Sequence, residues 1–396
     1  MWQRIKQAIK IMWQEKSLKA GWKHFLEINI LAGLDKAYQN HDSLAELPAI
    51  DLDAEHPKYI IFSDQHRGAL NGADDFQASE RAYNAALAYY FEMGYHLIAL
   101  GDVEELWEER PSKVLRNYTR SLELEAKFHE HGRYHRVFGN HDDIWKSTRL
   151  VEHYLQSTFG AKKLTVYEGL RIPVQQNGED IGEFYLVHGH QGSIESDYLT
   201  RLSRIFVRYI WRVFQGITKK RLNTPATNWQ KRQLTNIAMY NWAAAQENLV
   251  LVTGHTHYPV FESKTHEAQL VEALERAATP ADRAAVAAEL EWVRAQGTQP
   301  PQADEAYPET EKSCYFNSGC CSFSDGKITG LEIVDGRIRL IRWPDDTGEP
   351  NAKELTSAPL RSVFATVNAN IGPIEPVPTP LELPLVANGH KHTVAA

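Results

Sequence analysis

The chain predicts an α/β layered fold, on three observations. Between residues 58 and about 194, short apolar runs alternate with stretches of helical spacing. Each apolar run stops at a small residue or a turn and then meets Asp, Asn or His. The 396 residues are 43% apolar and 24% charged, which is ordinary for a globular chain with a large core.

Residues 1–50 read as an N-terminal helical extension. Trp2, Ile5, Ile9 and Met12 recur at helical spacing, one face of an amphipathic helix. The opening MWQRIKQAIKIMWQEKSLKAGWKHF is basic but has no continuous apolar centre and no small-residue cleavage site, so it is not read as a secretory signal. Packing onto the domain is favoured for it, with contact to a membrane surface as the second reading.

A main domain is expected over residues 51–344. Its candidate strands are Tyr59–Phe62, His96–Leu100, Tyr134–Phe138 and Phe184–Val187, with helical patterns over Phe76–Met93 and Trp107–His129. Residues 195–246 form a helical cap insertion, in which Arg201, Arg204, Arg208 and Arg212 share one helical face. A strand returns at Leu249–Val252. Residues 264–312 are a helical and linker insertion: Ala- and Glu-rich to about 296, then GTQPPQADEAYPE. CYFNSGCCSF and KITGLEIVDGRIRLIRW read as strands, with Asp335-Gly336 as a hairpin turn. Residues 345–396 are rich in proline and lack periodicity, and a surface-hugging or disordered tail is expected.

The net charge of −8 disfavours a protein that coats nucleic-acid backbone, but leaves open a small phosphorylated substrate. Cys314, Cys320 and Cys321 make no disulfide framework, since two are adjacent and the count is odd. With no apolar run near the ~20 residues of a membrane span, the expected location is cytoplasmic, with peripheral contact at the inner membrane face as a second possibility.

The strand ends carry the chemistry. The run at 59–62 leads to Asp64 and His66, and the next leads to Gly101-Asp102. The later runs lead to Gly139-Asn140-His141-Asp142, to His188-Gly189-His190, and to Gly254-His255-Thr256-His257. Sites in open α/β sheets lie beyond the carboxyl ends of the strands, so these segments can converge. The set of Asp, His, Asp, Asn, His, His and His offers oxygen and imidazole donors without thiolates, which suits manganese, iron or zinc. Seven donors are too many for one ion that keeps an open position, whereas two ions sharing a carboxylate fit. Such a pair acidifies a bridging water and binds phosphate oxygens during in-line attack by hydroxide on a phosphate ester or pyrophosphate.

The ordered set D-x-H, G-D-x-x-E, G-N-H-D, H-G-H and G-H-x-H resembles the calcineurin-like metallophosphoesterase superfamily, over roughly residues 58–262. The resemblance implies a four-layer αββα sandwich with the site on one edge, and two divalent ions, Mn2+ first, with Fe or Zn2+ as alternatives. Asp64, His66 and His257 would hold one ion, Asn140, His188 and His255 the other, and Asp102 would bridge them. His141 would face the substrate, and Asp142 is expected to orient its imidazole. Glu105 reads as structural support, His190 is left open, and Cys320-Cys321 read as small buried residues. His24, His41, His129, His131, His135 and His153 fall outside the pattern.

The cap mixes Ile205, Phe206, Tyr209, Ile210, Trp211 and Phe214 with its arginines, as a cover for an acyl-bearing phosphorylated substrate would; a helix packed with its arginines in water is the other reading. An insertion at this place, with GDVEELW, is similar to the UDP-2,3-diacylglucosamine pyrophosphatase branch of the superfamily. His141 stands where well-known members of that branch carry Arg, which favours general phosphoesterase chemistry on a small or lipid-linked phosphoester. The alternatives are a nucleic-acid phosphodiesterase and a non-catalytic scaffold of the same fold.

Overall fold

Alternate residues of the first core strand face two different cores. Tyr59 and Ile61 join one apolar cluster, and Ile60 and Phe62 join another. A strand apolar on both faces needs cover on both sides, which is the pattern of a layered α/β fold. The computed structural model describes residues 16–72, 74–192, 229–296 and 312–368.

The described residues begin with α1 (Lys16–Gln39) and then run through β1 (Leu44–Glu46), β2 (Ile50–Asp51), β3 (Tyr59–Phe62), α2 (Glu80–Glu92) and β4 (His96–Leu100). Next come α3 (Pro111–Asn117), α4 (Thr119–Glu130), β5 (Tyr134–Val137), α5 (Thr148–Tyr154) and α6 (Gln156–Phe159). They are followed by β6 (Val166–Tyr167), β7 (Gly169–Gln176), β8 (Glu179–Val187), α7 (Trp229–Ala244) and β9 (Leu249–Thr253). The later part holds β10 (Val260–Phe261), β11 (Lys264–Thr265), α8 (His266–Arg276), α9 (Pro280–Ala295) and β12 (Tyr315–Asn317). The last elements are β13 (Ile328–Val334), β14 (Arg337–Trp343), β15 (Lys353–Pro359) and α10 (Leu360–Val367).

The strands form two sheets. One has the order β15-β14-β13-β3-β4-β5-β6, with β3 to β6 parallel and β13 antiparallel to β3. The other runs β1-β7-β8-β9-β12-β10-β11, with β2 also paired to β7 and with β8, β9 and β12 parallel. Between the sheets lies a core that joins Ile61, Ile98 and Leu331 to Leu170, Phe184 and Leu251. Tyr83 and Leu87 of α2 and Leu122 and Phe128 of α4 cover the outer face of the first sheet. On the second sheet, Trp242 of α7 lies against Tyr185 and Tyr38, with ring centroids 5.8 and 5.7 Å away. The result is the expected α/β sandwich, helix–sheet–sheet–helix. No helix among the described residues is long and apolar enough to cross a membrane.

The strand expectations at 59, 96, 134, 184 and 249 all fall on strands. The Asp335-Gly336 hairpin joins β13 to β14, and both turn residues have positive φ (51° and 67°), as the tight two-residue turn requires. Other expectations need correction. The helix expected over Trp107–His129 begins only at Pro111, because proline has no N–H for an interior turn but suits the first one, and it is interrupted at Tyr118. The Ala/Glu-rich stretch is two helices. Thr279 accepts a hydrogen bond from the Asp282 N–H at 3.1 Å and, with Pro280, starts the second.

The expected tail from 345 starts with ordered structure. β15 pairs antiparallel with β14, and α10 buries Leu360, Val363, Phe364 and Val367 in the core between the sheets. Its i, i+3, i+4, i+7 spacing was readable in the sequence. The helix expected at the N-terminus (Trp2 to Met12), the arginine face and aromatic residues of the cap, the Pro/Gln linker and the chain after 368 lie outside the described residues.

Candidate metal centre

β3, β4 and β5 of one sheet, and β8 and β9 of the other, all end at the same edge of the sandwich. The loop after β3 runs alongside the loop after β4: the N–H groups of Asp64, His66 and Arg67 donate to the carbonyls of Gly101, Asp102 and Val103 at 2.9–3.1 Å. From β9, the His255 N–H donates to Asp64 Oδ2 at 2.9 Å. The His141 N–H donates to Asp102 Oδ1 at 2.8 Å. Backbone from four strand ends is thus laced around two carboxylates.

Glycines permit this closeness. A Cβ on Gly139 would overlap Asp102 Oδ1, and one on Gly254 would stand 2.5 Å from Asp64 Oδ2.

The side-chain donors converge. His257 Nε2 lies 3.1 Å from Asp64 Oδ1 and 3.0 Å from His66 Nε2. His66 Nε2 is 3.7 Å from Asp64 Oδ1 and also 3.7 Å from Asp102 Oδ2. His188 Nε2 is 3.0 Å from Asp102 Oδ2 and 3.9 Å from Asp64 Oδ1. The ring of His255 stands 5.2 Å from that of His188, and the donors of Asp102, His188 and His255 lie within 4.8 Å of one another, as do those of Asp64, His66 and His257. Donors about 2.0–2.2 Å from an ion, at angles between right and tetrahedral, are about 3.0–3.5 Å apart, close to these separations.

Buried polar atoms without hydrogen bonds mark the same place. Asp64 Oδ1, Asn140 Oδ1 and His188 Nε2 are all inaccessible, and none of them makes a well-aligned hydrogen bond, although imidazole and carboxylate atoms stand 3.0–3.1 Å from the first and last. Leaving such groups unpaired is costly. Oxygen and imidazole atoms held so are a donor set that fits divalent cations.

The electrostatics agree. Burial alone would raise the carboxyl of Asp64, but the imidazoles of His257 and His188 hold it far below the usual range. Burial likewise opposes the shift at Asp102, which His188 and His141 pull well down. Burial would depress His188, yet Asp102 and Asp64 lift it to about 9. His255, buried beside His188, falls to about 3. Two anionic carboxylates thus draw positive charge into a sealed place.

Around the donors, the rings of His188 and His66 have their other nitrogen engaged. His188 Nδ1 lies 2.8 Å from the Leu100 carbonyl, and His66 Nδ1 lies 3.3 Å from Glu105 Oε2. The same carboxylate oxygen is 2.6 Å from His141 Nδ1. Trp107 stacks on the His141 ring at 4.2 Å and 16°, and donates its indole N–H to the Asn140 carbonyl at 2.6 Å.

This corrects the expectation for Asp142. It does not orient His141; its oxygens accept the N–H groups of Gly139 (2.6 Å) and Val103 (3.1 Å) and pair with buried Arg136 at 3.2 Å. Glu105 holds His141 instead. GDVEELW offered two glutamates, and nothing in its spacing said which would turn toward the loop after β5.

Among the other histidines, His190 is buried, its ring 5.5 Å from that of His188. His96 and His135 stack on each other at the opposite ends of β4 and β5, far from these donors in the strand register.

No protein-family description matches the chain, and no curated protein matches it. Among solved structures it is similar to a conserved uncharacterized protein of Streptococcus pneumoniae TIGR4, described as a predicted phosphoesterase. The TM-score is 0.25 at 12% identity, over 76% of this chain and 98% of that one.

Proposed function

We propose that the protein is a metal-dependent phosphoesterase that hydrolyses a phosphate ester or pyrophosphate bond. One observation carries the reading: Asp64, His66 and His257, and Asp102, His188 and His255, from four separate strand ends, bring their oxygen and imidazole atoms within 4.8 Å of one another in each group, and Asn140 Oδ1 at a fifth strand end is buried without a hydrogen bond. Asp64, His66 and His257 would hold one divalent cation and Asn140, His188 and His255 a second, with Asp102, near both His66 and His188, between them. Bound there, manganese, iron or zinc would supply the charge that polarises a phosphoryl group and acidifies a water.

The chain's own groups do the rest. His141 is fixed by Glu105 and Trp107, and its other ring nitrogen is left for the substrate. There it donates a proton to the leaving oxygen or a hydrogen bond to the charge that builds on the phosphoryl group. Asn140 contributes a neutral oxygen, so its cation keeps more net positive charge for the substrate.

The reading extends to a lipid-linked phosphoester such as UDP-2,3-diacylglucosamine. The support for this is the sequence of the cap alone, aromatic and arginine-rich. The test is hydrolysis of phosphomonoesters, phosphodiesters and nucleoside-diphosphate lipids by purified protein with Mn2+, beside Asp102→Ala. Metal-dependent turnover that Asp102→Ala abolishes is the expected result. No turnover on any class, with two equivalents of metal bound, would leave the fold as a scaffold; salt-sensitive cleavage of DNA would move the substrate to nucleic acid.

A further inference from the structure

Three ligand imidazoles rest on three different groups. Behind His188 stands a backbone carbonyl and behind His66 a carboxylate. Behind His257 stands a thiol: Cys320 Sγ lies 3.5 Å from His257 Nδ1. Cys320 is 1% exposed and follows β12, the strand beside β9.

Its surroundings fix the sulfur. The Ser322 N–H donates to Sγ at 3.2 Å, and Sγ is 3.6 Å from the carbonyl oxygen of Asp64. The Ser322 hydroxyl donates to the same carbonyl at 2.9 Å. The Cys320 N–H donates to Thr329 Oγ1 at 3.0 Å, and the Thr329 N–H returns a bond to the Cys320 carbonyl at 2.9 Å. Cys321 donates its N–H to the Ser63 carbonyl at 3.1 Å. The loop is therefore tied both to β13 and to the segment that carries Asp64.

The contact can run in either direction, and the other partners of the sulfur permit the one that a ligating Nε2 needs: Ser322 Oγ, 3.0 Å from Sγ, and the Asp64 carbonyl are both acceptors for the thiol. A sulfur that gives its proton to the Asp64 carbonyl has lone pairs left to accept. It can then accept a hydrogen bond from the His257 Nδ1–H, the tautomer that leaves the lone pair on Nε2, the atom 3.1 Å from Asp64 Oδ1. We infer that Cys320 is a positioning residue for His257, whose thiol fixes the ring tautomer and rotation that turn Nε2 toward the place shared with Asp64 and His66. This rests on the metal-dependent reading above. Groups that hold the far nitrogen of a ligating histidine set both its aim and its basicity, so the cation held by His257 depends on the thiol while the one held by His188 and His255 does not.

The test is Mn2+ titration by calorimetry on the full chain, comparing wild type with Cys320→Val and Cys320→Ser. Valine keeps the volume and removes the acceptor; serine restores an acceptor and a donor. In wild type two equivalents are expected. In Cys320→Val one of them binds about 10-fold more weakly, at the lower end of what loss of such a partner costs, and the other is unchanged. Cys320→Ser recovers most of the loss. Where the valine variant does not fold, Cys320→Ala takes its place. A second measurement needs no variant: in zinc-loaded protein with 15N-labelled histidine, His257 should carry its proton on Nδ1. Two unaltered equivalents in Cys320→Val, or a His257 that ligates through Nδ1, overturns the inference and leaves the metal reading standing. Wild type that binds no Mn2+ or Zn2+ overturns both.

Discussion

Asp64, His66, Asp102, His255 and His257 all sit on backbone with positive φ, between 50° and 66°. Such conformations cost of order 1–3 kcal/mol each for residues other than glycine, and persist only where the surroundings impose them. Here the surroundings are explicit: the N–H groups of Asp64 and His66 are captured by the β4 loop, and the His255 N–H by Asp64 itself. Asp64 and His66, like His255 and His257, are two residues apart and so share a side of the chain; the turned backbone bends each pair in toward the sheet edge. His141 stands apart, since it is held against Glu105 and Trp107. Replacing His141 with Ala is expected to lower kcat by about 10²–10⁴, the span of general acid–base contributions, with two equivalents of metal still bound. Steady-state kinetics beside metal analysis checks this, and a variant that loses metal would make His141 a ligand instead.

Among the elements, the β4 and β5 loops are clamped from beneath. Arg136 on β5 pairs with Glu104 and Asp142, all three fully buried, and Trp145 donates its indole N–H to Glu104 at 2.9 Å. Asp142 in turn ties the Gly139 and Val103 N–H groups, so one ionic knot sets the spacing between Asp102 and Asn140. A buried pair adds little over an apolar replacement, but removing one partner strands the other charges. Arg136→Met is expected to destabilise the fold by about 3–5 kcal/mol, read as a lower urea midpoint, and to weaken metal binding with it. An unchanged midpoint would show that the knot is not needed.

The elements also show where patterns mislead. Trp107 and its neighbours carry helical spacing yet form a turn, because Pro111 marks the real start of the helix. Residues 353–367 carry too few apolar residues in their first half to announce a strand, since β15 lies at the sheet edge and pairs on one side only.

At the scale of the whole molecule, His96 and His135 mark the end of the sandwich away from the donors. Their facing nitrogens are 3.0 Å apart and the rings are parallel within 2°. Burial, then Arg133, lowers His96 to about 4; burial, then His96, lowers His135 to about 3. Unfolded, both titrate near 6.5. Above that pH the rings are neutral in both states and contribute no pH dependence. As pH falls from about 6.5 toward about 4, the unfolded chain takes up protons that the folded one refuses, so stability drops and then levels off. Urea unfolding at a series of pH values should show this, with a flatter profile for the His96→Asn, His135→Asn double variant. An identical slope for the two proteins would exclude the pair as its source.

The residues of the candidate site were legible from the sequence because its strands are short, apolar and cleanly terminated. A short continuous apolar run bounded by turn residues names a strand buried on both faces, and the polar residue after it has nowhere to go but the sheet edge. The sequence by itself therefore determined an α/β chain with seven candidate donors at five strand ends. It could not determine which second groups hold those donors. That Glu105 rather than Asp142 backs His141, and that Cys320 backs His257, depends on distances between loops far apart in the chain, and these are fixed only when β4 pairs with β5 in one sheet and β9 with β12 in the other, setting their end loops side by side.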